Sequence, residues 1–304
     1  MIMECTLKRA VGGRPLIAAH RGVWGGNVAP NTIESFEAAL KQGADILELD
    51  VLMTVDNRLV VFHKGMEKHH LGRDILLDQL TEKEALSIPY VNVDGVETKQ
   101  TVAGLDTVLE RFKGRCFLNI DQGWDVLELV VEAVKRHDMQ EQILLKSPPR
   151  PEYFDLVERY APDYMYMPII NGRDECSPLL EQRNIRYIGA ELVFSEETDP
   201  VADEGYLDAM HEKGRVLWGN GIVYNDKVRL SAGHSDDRSI LYGPEEGWGW
   251  LRKKGFDIIQ TDWPGLLKQY LDGGGEWNGD VELEGSERLE KSEGKDTERC
   301  LSMM

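Results

Sequence analysis

The chain has 304 residues, 41% hydrophobic and 29% charged, with a formal net charge of −19. That length and apolar content suit a soluble globular protein of one large domain or two small ones. That charge excludes a broad electrostatic grip on nucleic acid or anionic lipid, so an anionic substrate must be held by a bound metal or a few placed Lys and Arg residues.

Four cysteines, Cys5, Cys116, Cys176 and Cys300, include no C-x-x-C pair, which fits free thiols in a reducing compartment. Residues 1–15 contain no apolar run of signal-peptide length, and no run approaches a membrane span. The expectation is a cytoplasmic protein with no integral membrane association; its oligomeric state is not legible. Residues 273–304 carry nine acidic and four basic residues with little apolar periodicity, the composition of a disordered acidic tail. The folded domain is therefore expected over 1–272.

In chain order, short apolar runs at 16–19, 46–53, 59–63, 116–121, 142–146, 164–170, 187–193, 216–222 and 257–261 read as strands. Helical patterns intervene at 32–41, which opens on a Pro-Asn-Thr entry, at 125–136, where Val126, Leu127, Val130, Val131 and Val134 recur near the helical period, and more weakly at 152–159, 179–183, 206–213 and 247–254. The link between the second and third runs is too short for a parallel crossover. They are expected to form an antiparallel hairpin around Asp56-Asn57, with Val55 opposite Arg58 and hence Asp50 opposite His63. Eight strand–helix units remain, the number in a (β/α)8 TIM barrel of the α/β class; an open doubly wound sheet is the alternative.

Glu48 and Asp50 are two apart on one strand and face the same way. His20 follows the first strand and Asp121 ends the run 116–121. A barrel brings these strand ends, with His63, to one rim. Glu48, Asp50 and Asp121 make an all-oxygen cage suited to Mg²⁺ or Ca²⁺ rather than zinc. His20 and His63 can supply a general acid and a general base beside it, an arrangement suited to cleaving a phosphodiester.

Ala19-His20-Arg21-Gly22, Asn31-Thr32, Gly43-Ala44-Asp45-Ile46-Leu47-Glu48-Leu49-Asp50, Thr54-Val55-Asp56 and Val60-Val61-Phe62-His63, closed by Gly255-Phe256-Asp257-Ile258-Ile259-Gln260-Thr261-Asp262-Trp263-Pro264, resemble the glycerophosphodiester phosphodiesterase family, within the phospholipase C-like phosphodiesterase superfamily of TIM barrels. The resemblance spans roughly residues 16–267 and is weakest in the middle. It implies hydrolysis of a small glycerophosphodiester to glycerol 3-phosphate and an alcohol. It makes His20 and His63 the acid/base pair, Glu48, Asp50 and Asp121 the ligands of one divalent cation, and Arg21 a phosphate contact.

The chain departs from that pattern at His63-Lys64, where His-Asp is usual, at Ala29 before Pro30-Asn31-Thr32, at Asp121 in place of Glu, and at Gly123 in place of a lysine. Lys146, at the end of the next strand, is the candidate replacement for that lysine, with Lys64 as another. Trp218 falls where the family has a strand Trp and is a candidate pocket wall. His69-His70, Glu191, Asn220 and Asp262 are weaker candidates. The rival functions are a phospholipase D-like lyase that releases a cyclic phosphate from lysolipids, and a non-catalytic barrel that binds phosphodiesters.

Overall fold

The structure, a computed structural model, describes residue 7 and residues 13–225 and 227–273. Twelve strands run in chain order among the described residues: β1 (Leu16–Ala19), β2 (Ile46–Met53), β3 (Leu59–Val61), β4 (Pro89–Val91), β5 (Glu97–Thr101), β6 (Ala103–Gly104), β7 (Phe117–Asp121), β8 (Ile143–Ser147), β9 (Met165–Asn171), β10 (Gly189–Val193), β11 (Val216–Asn220) and β12 (Ile258–Thr261). Strands β1, β2 and β7–β12 pair in parallel in sequence order, and β1 pairs with both β2 and β12. The sheet therefore closes into an eight-stranded barrel, the TIM barrel expected from the pattern.

Helices α1 (Ile33–Lys41), α2 (Leu105–Phe112), α3 (Leu127–Arg136), α4 (Pro151–Tyr160), α5 (Glu204–Glu212), α6 (Asp236–Tyr242), α7 (Trp248–Lys253) and α8 (Pro264–Leu271) surround it. The expected helix at 179–183 is a single turn, Ser177–Leu180. Helices α2, α6 and α8 had not been expected.

Strand period two divides the core. Ile17, Ala19, Leu47, Leu49, Leu118 and Ile120 face outward onto the helices. Leu16, Ala18, Ile46, Phe117, Leu144, Met165, Met167, Val216, Trp218 and Ile258 fill the barrel interior. Each inward row carries on toward the C-terminal rim as polar residues: Glu48 and Asp50 follow Ile46, and Asn119 and Asp121 follow Phe117. The pattern that packs the barrel floor thus also places the polar layer above it.

The hairpin is present, but its register corrects the expectation. Val51 pairs with Val61 and Met53 with Leu59, so Phe62 comes opposite Asp50 and donates its N–H to Asp50 O at 3.0 Å. Thr54 is the reason. Its N–H donates to Arg58 O at 2.8 Å and its Oγ1 accepts from Arg58 N at 3.1 Å, which makes 55–57 a three-residue loop. Asn57 closes that loop at φ 57°, a left-handed conformation that Asn tolerates. His63 lies past the end of β3 and reaches the rim from the turn that follows, where Met66 N–H donates to His63 O at 3.2 Å.

Residues 67–104 insert between that turn and α2. They add the small antiparallel pair β4–β5 and share with Phe62 a core of Leu71, Leu77, Ile88, Tyr90 and Val102. This inserted layer had no counterpart in the sequence reading. Cys116 and Cys176 are buried free thiols, as expected. The expected tail, 273–304, lies outside the described residues except for Gly273.

Candidate active site

The first loop is built to hold a turn. Thr32 caps α1, with Ser35 completing a reciprocal capping box, and Ser35 Oγ donates to Arg21 O at 3.1 Å. Asn31 N–H donates to Arg21 O at 3.0 Å. Arg21 and Asn31 both adopt left-handed φ, 56° and 57°. At Gly22 (φ 80°) a Cβ would lie 2.5 Å from Ser35 Oγ, so only glycine fits. Helix α1 is thereby clamped to the turn that carries His20 and Arg21.

That turn reaches down to the carboxylates. Arg21 N–H donates to Glu48 Oε2 at 2.8 Å. Asn31 Nδ2 donates to Asp50 Oδ2 at 2.8 Å, and Asn31 Oδ1 accepts from Asp50 N at 3.2 Å. Arg21 Nε stands 3.0 Å from Asp50 Oδ2, an ion pair without hydrogen-bond alignment. The register of β2 and β7 sets Asp50 beside Asp121. Glu48, Asp50 and Asp121 then offer oxygens that all lie within 4.8 Å of one another.

Glu48 and Asp50 are each only 1% exposed, so burial dominates their electrostatics. Burial, then the charges of Asp50 and Asp121, pushes the Glu48 carboxyl well above the usual range. Burial also pushes Asp121 up to about 7, with Asp50 and Glu191 adding and Lys146 opposing. At Asp50 burial is outweighed by Arg21, His63 and the Asn31 hydrogen bond, and its carboxyl is held below the usual range. Three crowded carboxylates beside one arginine leave negative charge in excess. An all-oxygen donor set of this kind fits a hard divalent cation.

The two histidines are backed differently. His20 is buried, and its Nδ1 meets Asp262 Oδ1 at 2.8 Å. His63 Nδ1 meets Lys64 O at 2.9 Å. A carbonyl oxygen only accepts, so Nδ1 of His63 carries the proton, and its Nε2 accepts from Gln122 Nε2 at 2.9 Å. Burial lowers the His63 pKa, with Asp50 opposing. Both rings thus turn Nε2 away from the group that holds Nδ1, and at His63 the Gln122 amide occupies that nitrogen.

His20, Arg21, Glu48, Asp50, His63 and Asp121 line one cleft. Lys146 and Trp218 are not on its walls. Lys146 is 3% exposed and Trp218 0%. Both side chains point inward below the cleft, where Lys146 Nζ donates to Glu191 Oε2 at 2.6 Å and sits 3.3 Å from the Trp218 ring centroid. Trp218 Nε1 donates to Gln260 Oε1 at 3.0 Å. Lys64 pairs at the surface with Asp78.

Of the weaker candidates, Glu191 and Asn220 line the cleft, joined by an Asn220 Nδ2 to Glu191 Oε1 bond of 2.8 Å, and Asp262 backs His20. Tyr224, Gln122 and Gln260 also line it and had not been anticipated. Tyr224 stands in a loop, edge to face with His20 at 6.2 Å, and no periodic signal marks it.

His69 and His70 lie elsewhere. With Trp24 and Lys68 they line a groove of about 460 Å³ between the first loop and the inserted layer, and no carboxylate is among its walls. Beyond these hollows, no helix among the described residues is long and apolar enough to cross a membrane.

Comparison with known proteins adds three findings. Residues 166–271 match a sequence family described as a domain of unknown function. A glycerophosphodiester phosphodiesterase of Caldanaerobacter subterraneus subsp. tengcongensis is 29% identical over 151 residues, which are 44% of this chain and 58% of that protein. One of Bacillus altitudinis is 31% identical over 144 residues, 43% of this chain and 57% of that protein. The chain thus spans somewhat over half the length of these relatives.

Among solved structures, a glycerophosphoryl diester phosphodiesterase of Parabacteroides distasonis superposes with a TM-score of 0.72 at 18% identity, over 88% of this chain and 90% of that one. A phosphodiesterase of Oleispira antarctica, solved with its product sn-glycerol-3-phosphate, superposes with a TM-score of 0.63 at 18% identity, over 85% of this chain and 97% of that one.

Proposed function

We propose that this chain, which belongs to the glycerophosphodiester phosphodiesterase family, hydrolyses small glycerophosphodiesters to glycerol 3-phosphate and an alcohol. The observation that carries the reading is the meeting of His20, His63 and the carboxylates Glu48, Asp50 and Asp121 in one cleft. Glu48, Asp50 and Asp121 would hold one Mg²⁺ or Ca²⁺, which when bound would neutralise the phosphoryl oxygens.

The backing of each histidine supports its role. His63, with a proton held on Nδ1 and its pKa lowered by burial, suits the base that takes a proton on Nε2 from the attacking hydroxyl or water once that group replaces the Gln122 amide there. His20, with the Asp262 carboxylate on Nδ1, suits the partner that carries positive charge and gives a proton from Nε2 to the leaving oxygen. Arg21 lines the same cleft, which supports a contact from its guanidinium to a phosphate oxygen.

Exchange of His20 or His63 for Ala should lower turnover of a glycerophosphodiester by at least about 10²-fold while the circular-dichroism spectrum stays native. Release of glycerol 3-phosphate is the assay. A folded His20→Ala or His63→Ala variant with near wild-type turnover would remove that residue from the mechanism.

A further inference from the structure

Behind the His20–Asp262 pair lies a second buried carboxylate, Asp236, at the start of α6. It is 2% exposed, and no basic side chain pairs with it among the described residues. Its oxygens take three donors instead. Trp248 Nε1 donates to Oδ1 at 2.6 Å, Thr261 Oγ1 donates to Oδ1 at 2.8 Å, and the main-chain N–H of Asp262 donates to Oδ2 at 2.8 Å. Thr261 Oγ1 in turn accepts from Trp263 N at 2.9 Å. Gly221 makes the approach possible, since a Cβ there would lie 2.6 Å from Asp236 Oδ1. The Asp236 main chain is tied to the same place by its N–H, which donates to Gly221 O at 2.6 Å.

A buried carboxylate without a countercharge is an expensive group to retain. Burial, and after it the Asp262 charge, pushes Asp236 up to about 7 even with the three donors in place. Two of those donors, an indole N–H and a peptide N–H, can only donate, so an isosteric amide cannot satisfy the same set. What this arrangement fixes is the segment Thr261–Asp262–Trp263, and the side chain at its centre holds His20 Nδ1.

We propose that Asp236 is a positioning residue. It anchors the main chain of Asp262 so that the Asp262 carboxylate stays on His20 Nδ1 and His20 presents Nε2 to the cleft. This rests on the reading of His20 as an acid/base group. A purely structural Asp236 would tie α6 and α7 to β12 and leave the imidazole unaffected.

The test is Asp236→Asn, with Asp237→Asn as control, read in two independent ways. Steady-state kinetics should show kcat lower by about ten- to a hundredfold with KM within about twofold, the signature of a misplaced reacting group. Nitrogen-15 NMR of the histidine rings, with His20 assigned by its loss in His20→Gln, should show the Nδ1 resonance of His20 moved from its wild-type position as its hydrogen bond to Asp262 loosens. The Asp237→Asn protein should match wild type in both.

A folded Asp236→Asn protein with unchanged kcat and an unchanged His20 signal overturns the proposal. If Asp236→Asn does not fold, Thr261→Val removes one donor to Asp236 and the acceptor for Trp263 N. It should shift the same NMR signal with a smaller fall in kcat, and no change in either overturns the proposal equally. The NMR readout needs no substrate. A moved His20 signal in a protein with no phosphodiesterase activity would uphold the positioning and refute the proposed reaction instead.

Discussion

Among the three clustered carboxylates Asp50 meets the most partners: Asn31 on two atoms, Arg21 by charge, and Asp121 alongside through the strand register. The proposed cation site therefore depends on it more than on its neighbours. Asp50→Asn should weaken Mg²⁺ or Ca²⁺ binding by at least about tenfold in a calorimetric titration. Asp78→Asn, whose side chain pairs with Lys64 outside the cleft, should leave it unchanged. Equal affinity in the Asp50→Asn protein would end the reading of this cluster as a metal cage.

Glu48 and Asp50 were legible because strand period two forces residues two apart onto one face. Asp121 was legible because it ends an apolar run. The clamp on them was not. Asn31 and Arg21 act through left-handed backbone, and Asp236 works through the main chain of a residue 26 positions away. Arg21 and Asn31 lie in motifs that carry the family resemblance, but neither their left-handed turns nor the Asp236 anchor leaves a periodic signal. Lys146 was placed on the correct strand, but an inward residue one layer lower meets Trp218 and Glu191 rather than the cleft.

At the scale of elements, the hairpin shows how little separates a right topology from a right register. The crossover argument required β2 and β3 to be antiparallel, and they are. A two-residue loop was the simplest closure, yet the Thr54 hydroxyl bonds Arg58 N and adds a residue. Helix α2 carried a readable signal, Leu105, Val108, Leu109 and Phe112 on one buried stripe, directly after an insertion whose short elements obscure where a helix should begin. The inserted layer has a core of its own, and single-turn pieces of that kind have no period to detect.

His70 joins that layer to the first loop, edge-on to Trp24 at 6.4 Å and to Phe62 at 6.4 Å. Burial, then the charges of Arg21, His69 and His63, lowers its pKa from 6.5 to about 4. In the folded chain His70 thus stays neutral where the unfolded chain has already bound a proton. Stability should fall as pH drops from 6.5 toward about 4, by about 3 kcal/mol from this group. His70→Phe keeps a ring and removes the titration. Its urea midpoint should fall less than the wild-type midpoint between neutral pH and about pH 5. Parallel decline of the two proteins would show that His70 is not buried neutral.

For the whole molecule, nine runs and one short link were enough to give a closed barrel, because parallel strands buried on both faces read as continuous apolar runs. The net charge of −19 is set against two hollows of different character. The cleft concentrates carboxylates around a cation site. The groove beside it, walled by Trp24, Lys68, His69 and His70 without a carboxylate, gives a cationic head group no counterion.

The central claim, that the cleft hydrolyses glycerophosphodiesters, is tested most directly by ³¹P NMR. The protein would be incubated with Mg²⁺ or Ca²⁺ and a panel of glycerophosphoglycerol, glycerophosphoinositol, glycerophosphocholine and a lysophospholipid. Glycerol 3-phosphate is expected as the phosphorus product from the water-soluble diesters, and its formation should be abolished by a chelator. A cyclic phosphate released from the lysophospholipid, or no product from any diester, would contradict it.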